Sequence, residues 1–282
     1  IDKDALLRSG IMLPKTIRHL KGEDLKDAIP DKLYIPLTDI RMLTKVDLLM
    51  LEMLANCNWE RPLYLAISVG SVSKLKFDNY FVQEGLAFRF TPFDYKKWGD
   101  VGENRLYAVD VERLYDNVMN RYKYGGLDTP GLYLDETTLR TCWYHRRLFA
   151  QLAKELIAQG DNERAKKVLA YAEQVIPGYN VPETHESGSY DIATAYAALG
   201  EKTKAVTLAV HLIAEAEDYI NWAFSLKGNR IEMVRNDCIY KFWQWNQYNE
   251  LLKKIDGEKY KESNRQFEEK YALFAPTMNY KN

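Results

Sequence analysis

The pattern of apolar and polar positions predicts a mixed α/β arrangement in the first third of the chain. Strand-forming residues are concentrated in three short runs, Lys32 to Thr38, Arg61 to Val69 and Leu86 to Thr91. Between the first two runs, Lys45 to Ala55 places apolar residues at helical spacing. A strand, a helix and a second strand in this order favour a right-handed crossover. We therefore predict a small α/β domain with a mixed or parallel sheet.

The remainder of the chain follows helical spacing. A helix is predicted from Val111 to Tyr122, ending before Gly125 and Gly126. Asp135 is placed to cap the next helix, because its carboxylate can accept the free N–H groups of the first turn. The predicted domains are an α/β part at residues 1–108 and an all-α part at residues 109–282, so the chain is mostly helical overall.

A repeat with a period of forty residues is the most specific pattern in the helical part, as in the step from Leu152 to Ile192. Its first copy has the residue offsets of a tetratricopeptide repeat: Phe149, Leu152, Ala153, Leu156, Gly160, Ala165, Leu169, Ala172 and Pro177. The second copy contains Ile192, Ala193, Tyr196, Gly200 and Ala205, with weaker matches at Ala209 and Leu212 and Glu217 in place of proline. We predict a tetratricopeptide-like array of helical hairpins. Two generic helical hairpins are the alternative.

Such an array would present the first helix of each hairpin on its inner face. Arg147, Gln151 and Lys154 share one face of the first leading helix, and Tyr190 and Thr194 share a face of the second. The predicted result is a shallow trough that binds a protein or glycopeptide partner. An ordinary solvated helix surface is the alternative.

Composition excludes several classes of protein. The 39 basic and 40 acidic side chains give a formal net charge of -1, which argues against a nucleic-acid-binding protein. The three cysteines are far apart with no CxxC pair, and they are predicted to be free and buried. The four histidines have no metal-ligand spacing, so neither a metal site nor a cofactor is predicted. Aromatic residues make up 13% of the chain, which suits a core or a surface that binds peptides or sugars.

Two segments contain residue types that could take part in catalysis or anion binding. Asp135 and Glu136 are an adjacent acidic pair, but neighbouring side chains at a helix start point apart and Asp135 already has a capping role. Residues 68–73 (SVGSVS) follow a predicted strand, where an anion can bind, yet no phosphate-binding glycine motif is present and an ordinary turn is favoured. No catalytic residue is predicted.

Four long segments carry a resemblance to a known family: NWERPLYLAISVGS (58–71), DNYFVQEGLAFRFTPF (78–93), YDNVMNRYKYGGLDTPGLYLDE (115–136) and VIPGYNVPE (175–183). Together they resemble the C-terminal soluble region of a bacterial inner-membrane family of unknown function. That family is grouped with protein O-mannosyltransferase-like glycosyltransferases. The resemblance extends from about Asp31 to Leu226.

The resemblance implies a parent protein with a multi-span membrane part that contains the catalytic acidic pair and uses a polyprenyl-phosphate sugar. It carries no catalytic residue onto this chain. We therefore expect a non-catalytic, periplasmic accessory domain of a membrane-embedded parent protein, which binds a protein or acceptor. One alternative is an interaction scaffold in an envelope complex without glycosyl transfer. Another is a carbohydrate-binding or hydrolytic domain.

Overall fold

The computed structural model describes residues 1–35, 37, 40–69, 75, 77–102, 107–226 and 230–278. The chain forms two compact units, Ile1–Tyr122 and Lys123–Asn282, called here the N-terminal unit and the C-terminal unit. The domain limits proposed from the sequence, 1–108 and 109–282, stay a prediction.

The N-terminal unit is built around a small sheet. Its helices are α1 (Lys3–Arg8), α2 (Gly22–Ala28), α3 (Lys45–Asn56) and α4 (Val111–Asp116), which continues as one π-helical turn, Asn117–Arg121. Its strands are β1 (Tyr64–Ala66), β2 (Phe81–Gln83), β3 (Ala87–Phe90) and β4 (Ala108–Val109), and a 3₁₀ turn (Asp78–Tyr80) precedes β2. The strand order is β1-β3-β2-β4. Strand β3 is antiparallel to β1 and β2, whereas β4 is parallel to β2. The predicted small mixed sheet is confirmed.

The first predicted strand, Lys32 to Thr38, is wrong, because residues 32–35 and 37 are not in a strand. The run contains Pro36, which cannot donate to a sheet ladder. The predicted right-handed crossover from this strand is therefore also wrong. Strand β2 was missed because all three of its residues are buried, so the alternation that marks a half-exposed strand is absent.

Helix α3 confirms the helix predicted at Lys45 to Ala55. It begins with the reciprocal hydrogen bonds of a capping box. The Thr44 backbone N–H donates to the Asp47 carboxylate at 2.7 Å, and the Asp47 N–H donates to the Thr44 hydroxyl at 3.3 Å. Part of its apolar surface is open to solvent, since Val46 is 43% and Leu49 64% exposed.

Among its described residues, the C-terminal unit contains helices and connections but no strand. Its helices are α5 (Glu136–Ala158), α6 (Asn162–Val175), α7 (Ser189–Ala198), α8 (Lys202–Ser225), α9 (Arg230–Met233), α10 (Arg235–Ile255) and α11 (Gly257–Met278). Helix α5 packs against α6, and α7 packs against α8. A three-residue turn joins each pair, with Gly160 at φ +80° and Gly200 at φ +78°. Glycine suits both turns because other residues rarely adopt this left-handed conformation.

Burial in the two hairpins follows the forty-residue period. Ala153 and Ala193 are both fully buried, as are Ala165 and Ala205. Alanine at these positions lets neighbouring helices approach closely. The helical region is thus confirmed, and its assignment as a tetratricopeptide-like array stays a prediction. Helix α8 continues past Glu217 to Ser225, because no proline ends it where the first copy has Pro177.

The aromatic residues of the last helices fall into two groups. Phe242, Trp245 and Tyr248 on α10 are buried, and α10 packs against both α8 and α11. Trp222, Tyr240 and Trp243 are each about half exposed. In the described part of the chain, no helix combines the length and the apolar character that a membrane span requires.

Candidate functional site

The predicted partner-binding residues of α5 are at least partly accessible, but two of them make internal contacts. Arg147 and Lys154 are exposed, and the Gln151 amide donates to Glu155 Oε1 at 2.6 Å. The Arg147 guanidinium donates from Nε to the Glu186 carbonyl oxygen at 2.7 Å. Arg147 therefore contacts the connection that leads into α7.

The predicted residues of α7 make local contacts. The Tyr190 ring is half-buried and stacks on His185, with ring centroids 5.7 Å apart. The Thr194 hydroxyl donates to the Asp191 carbonyl oxygen at 2.8 Å. None of the five predicted residues lines the groove described next. Their role in binding stays a prediction.

A groove of about 390 Å³ opens between the two hairpins of the C-terminal unit. This volume falls within the range of small-molecule sites. Its lining comes from Arg146 on α5, Leu169, Ala172, Glu173 and Ile176 at the end of α6, Pro177, Gly178 and Glu183 of the connection, Ile192 and Tyr196 on α7, and Thr203, Lys204, Thr207, Leu208 and His211 on α8. The groove combines apolar aliphatic side chains with charges of both signs.

An ion pair with a tyrosine marks one side of the groove. Lys204 Nζ lies 2.8 Å from Glu173 Oε2, and the Tyr196 hydroxyl donates to Glu173 Oε1 at 2.5 Å. The ammonium also lies 5.0 Å from the centre of the Tyr196 ring. Burial, and then the adjacent carboxylate, raises the pKa of Tyr196. The phenol therefore stays protonated and serves as a donor.

Arg146 fixes the long connection that forms the end of the groove. It is 3% exposed, and its guanidinium donates to four oxygens: Pro182 O at 2.7 Å, Ser187 Oγ at 3.0 Å, Ile176 O at 3.0 Å and Val181 O at 2.5 Å. Burial lowers the pKa of Arg146 to about 10, which still leaves it charged at neutral pH. The planar fork of an arginine suits this clustered set of acceptors.

Reasoning from the sequence missed Arg146, although a signal was present. Cys142, Arg146, Phe149 and Ala153 recur at spacings of four, three and four on α5, and all four are buried. An arginine within an apolar stripe is unusual, because a buried charge needs compensating hydrogen bonds. That position could have singled out Arg146 rather than its exposed neighbour Arg147.

The acidic pair at the start of α5 is engaged in helix capping. The Asp135 carboxylate accepts from the N–H groups of Thr137 at 2.9 Å and Thr138 at 3.1 Å, and Glu136 pairs with Arg140 at 2.8 Å. The hydrogen bond from the Thr138 side chain lowers the pKa of Asp135, with help from the backbone. The predicted N-cap is confirmed. Of the SVGSVS segment, residues 70–73 lie outside the described residues.

The cysteines are free thiols, with Cys142 and Cys238 buried and Cys57 only half-buried. Burial raises the pKa of the Cys142 and Cys238 thiols, so both are protonated at neutral pH. Within the described ranges, no three histidine, cysteine, aspartate or glutamate side chains form a group suited to a metal ion.

A buried charge network organises the N-terminal unit. The Glu84 carboxylate is 3.0 Å from Arg113 Nη1 and 3.5 Å from Arg89 Nη1, and it accepts from the Tyr64 hydroxyl at 3.0 Å. Arg89 also donates to the Ser9 carbonyl oxygen at 3.0 Å. Burial, and then the Glu84 charge, raises the pKa of Tyr64. The network thus joins α1, the sheet and α4, and its groups are occupied with one another.

One comparison with known protein families gave a match. Residues 1–112 match the family model described as TMEM260-associated domain 2. The matched segment lies within the N-terminal unit and contains Glu84 and Arg89. Searches of curated proteins and of solved structures gave no match.

The match agrees with an accessory domain of a TMEM260-like protein. It concerns 112 of the 282 residues and includes none of the C-terminal unit. The glycosyltransferase grouping and the bacterial origin implied by the four segments stay predictions.

Proposed function

We propose that this chain is a non-catalytic accessory domain, which binds a protein or acceptor segment for a membrane-embedded, glycosyltransferase-like parent protein on the periplasmic side. The groove between the two hairpins of the C-terminal unit is the observation that carries this proposal. The family match of residues 1–112 supports an accessory role.

The groove suits a short segment of a partner because its lining combines apolar side chains with an exposed ion pair. Leu169, Ile192 and Leu208 provide an apolar floor for one or two side chains. Glu173 and Lys204 can exchange part of their ion pair for polar groups of a bound segment, since both are nearly half exposed. If the helices form a tetratricopeptide-like array, binding of a chain segment would also fit the fold.

The non-catalytic part of the proposal rests on the described polar groups. Asp135 and Glu136 are committed to capping and to an ion pair, and Glu84 is enclosed by two arginines. A general acid and a general base must both reach a substrate, whereas these three carboxylates are engaged with other groups of the chain. An interaction scaffold without glycosyl transfer would use the groove in the same way, and it differs only in the activity of the parent protein.

Site-specific photo-crosslinking in cells that produce the parent protein tests the binding site. A photoreactive amino acid at Thr207, on the groove, should give one dominant crosslinked product after irradiation. Lys166 is exposed on α6 but does not line the groove. The same photoreactive amino acid at position 166 should give no crosslinked product. A third position, Lys154, tests the predicted helix face. A crosslinked product from position 154 alone, or equal amounts of product from positions 207 and 166, would show that the groove is not the binding site.

A further inference from the structure

Two large aromatic rings lie side by side on the surface of α10. The centroids of Tyr240 and Trp243 are 5.6 Å apart and their planes differ by only 11°. Tyr240 is 45% and Trp243 is 48% exposed, although such rings usually bury most of their area. These two residues, called here the aromatic platform, are separate from the groove between the hairpins.

The platform is supported by further rings. His185 contacts Tyr240 and Trp243 nearly edge-on, with centroid distances of 6.1 and 5.5 Å. His185 is itself fixed, because its Nδ1 lies 2.9 Å from the buried Tyr248 hydroxyl and Tyr190 stacks on its other side. Burial lowers the pKa of His185, so this support is neutral at pH 7. A surface held in this way loses little conformational freedom when it binds a ligand.

The charges around the platform are mainly acidic. Glu186, Asp191 and Glu215 all act electrostatically on His185, as does one cation, Lys241. Lys241 is paired with Glu215 at 2.9 Å. Among the described residues, neither Glu186 nor Asp191 has an ion-pair partner within 4 Å. The Glu186 carboxylate accepts from the Gln244 amide at 3.0 Å and from its own backbone N–H, and Lys241 acts on it from further away.

A second cation, Arg147, lies close to this region and keeps its positive charge. Arg147 donates to the backbone oxygen of Glu186 rather than to its carboxylate, so the negative charge of that side chain stays available. Lys253 pairs with Glu250 at 3.9 Å, about two to three turns further along α10. The balance of charge next to the two exposed rings therefore favours a cationic ligand.

We infer that the aromatic platform binds a guanidinium or ammonium side chain of a basic peptide segment. The cation would lie over the exposed ring of Trp243 or Tyr240, where the negative π face attracts it. The carboxylates of Glu186 and Asp191 would add attraction that falls with increasing salt. A neutral sugar could stack on the same rings but would gain little from these two charges.

Titration calorimetry of the whole chain with three defined probes tests this inference. The probes are a hexapeptide of alternating arginine and glycine, the same peptide with glutamate in place of arginine, and a neutral oligosaccharide. We expect the arginine peptide to bind and the other two probes not to bind. Trp243→Ala should weaken this binding by about threefold to tenfold. Glu186→Gln combined with Asp191→Asn should weaken it by a similar factor and reduce its dependence on salt.

Trp222 provides a matched control, since it is 49% exposed on α8 and lies outside the platform. Trp222→Ala should leave the affinity for the arginine peptide unchanged, and circular dichroism should show that every variant is folded. The inference is overturned if Trp243→Ala binds like the unmodified chain or if Trp222→Ala loses as much affinity. Tighter binding of the oligosaccharide or the glutamate peptide would also overturn it.

Discussion

Replacing Glu84 with glutamine should lower the free energy of unfolding of the N-terminal unit by about 3–5 kcal/mol. The side chain keeps its size but loses its charge, so Arg89 and Arg113 lose the carboxylate that compensates them. Arg89 is 2% exposed and cannot regain water without a local rearrangement. An unpaired buried charge is costly, because the desolvation penalty remains after the attraction is gone.

Urea unfolding of the whole chain, followed by hydrogen exchange of peptides from β2, β3 and α4, measures this effect. Asp116→Asn is the matched control, since Asp116 forms an exposed ion pair with Arg121 at 2.6 Å and should not change the unfolding midpoint. Equal midpoints for Glu84→Gln and Asp116→Asn would mean that the buried network does not hold α1, the sheet and α4 together.

Replacing Arg146 with methionine should cost about 3 kcal/mol and loosen the connection between α6 and α7. Four oxygens lose their charged donor, and three of them are backbone carbonyls of residues 176, 181 and 182. The expected loss of stability is smaller than the sum of four hydrogen bonds. The reason is that the methionine variant no longer carries the desolvation cost of a buried charge. Lysine should rescue only part of the stability, since one ammonium cannot reproduce the planar fork.

Hydrogen exchange of residues 176–188 in the folded chain checks this prediction, with thermal unfolding as a second measurement. Arg147→Met is the matched control, because Arg147 is adjacent in sequence but exposed, and its guanidinium donates to one carbonyl oxygen, that of Glu186, instead of to four oxygens. We expect rapid exchange of the connection in Arg146→Met and near-normal exchange in Arg147→Met. The opposite order would show that the exposed arginine fixes the connection.

Periodicity predicted the helical hairpins well. The forty-residue repeat placed Gly160 and Gly200 at turns and placed Ala165 and Ala205 at buried helix contacts. Such positions can be predicted because turn conformation and burial on one face of a helix both produce a regular pattern in the sequence. The small sheet was harder to predict, since β4 has two residues and β2 is buried on both faces.

The groove could not be predicted from the sequence, because its lining comes from four helices and a connection that bends back onto Arg146. The individual residues look like ordinary core or surface positions. Leu208, for instance, fits the apolar stripe of α8. What brings the lining residues together is the course of residues 176–188, and that course depends on hydrogen bonds to backbone oxygens. The order of side chains along the sequence does not show which backbone oxygens will accept these hydrogen bonds.

The central claim is tested most directly by measuring the rate of sugar transfer from a polyprenyl-phosphate donor against acceptor concentration. Four samples are compared: the purified chain, membranes with the parent protein, and membranes in which the parent protein carries either Thr207→Trp, which fills the groove, or Lys166→Trp. The account predicts no transfer by the purified chain. It also predicts that Thr207→Trp raises the half-saturating acceptor concentration with the maximal rate unchanged, while Lys166→Trp does neither. Transfer by the chain alone, abolished by Asp135→Asn, would contradict the account, as would a parent protein unaffected by Thr207→Trp.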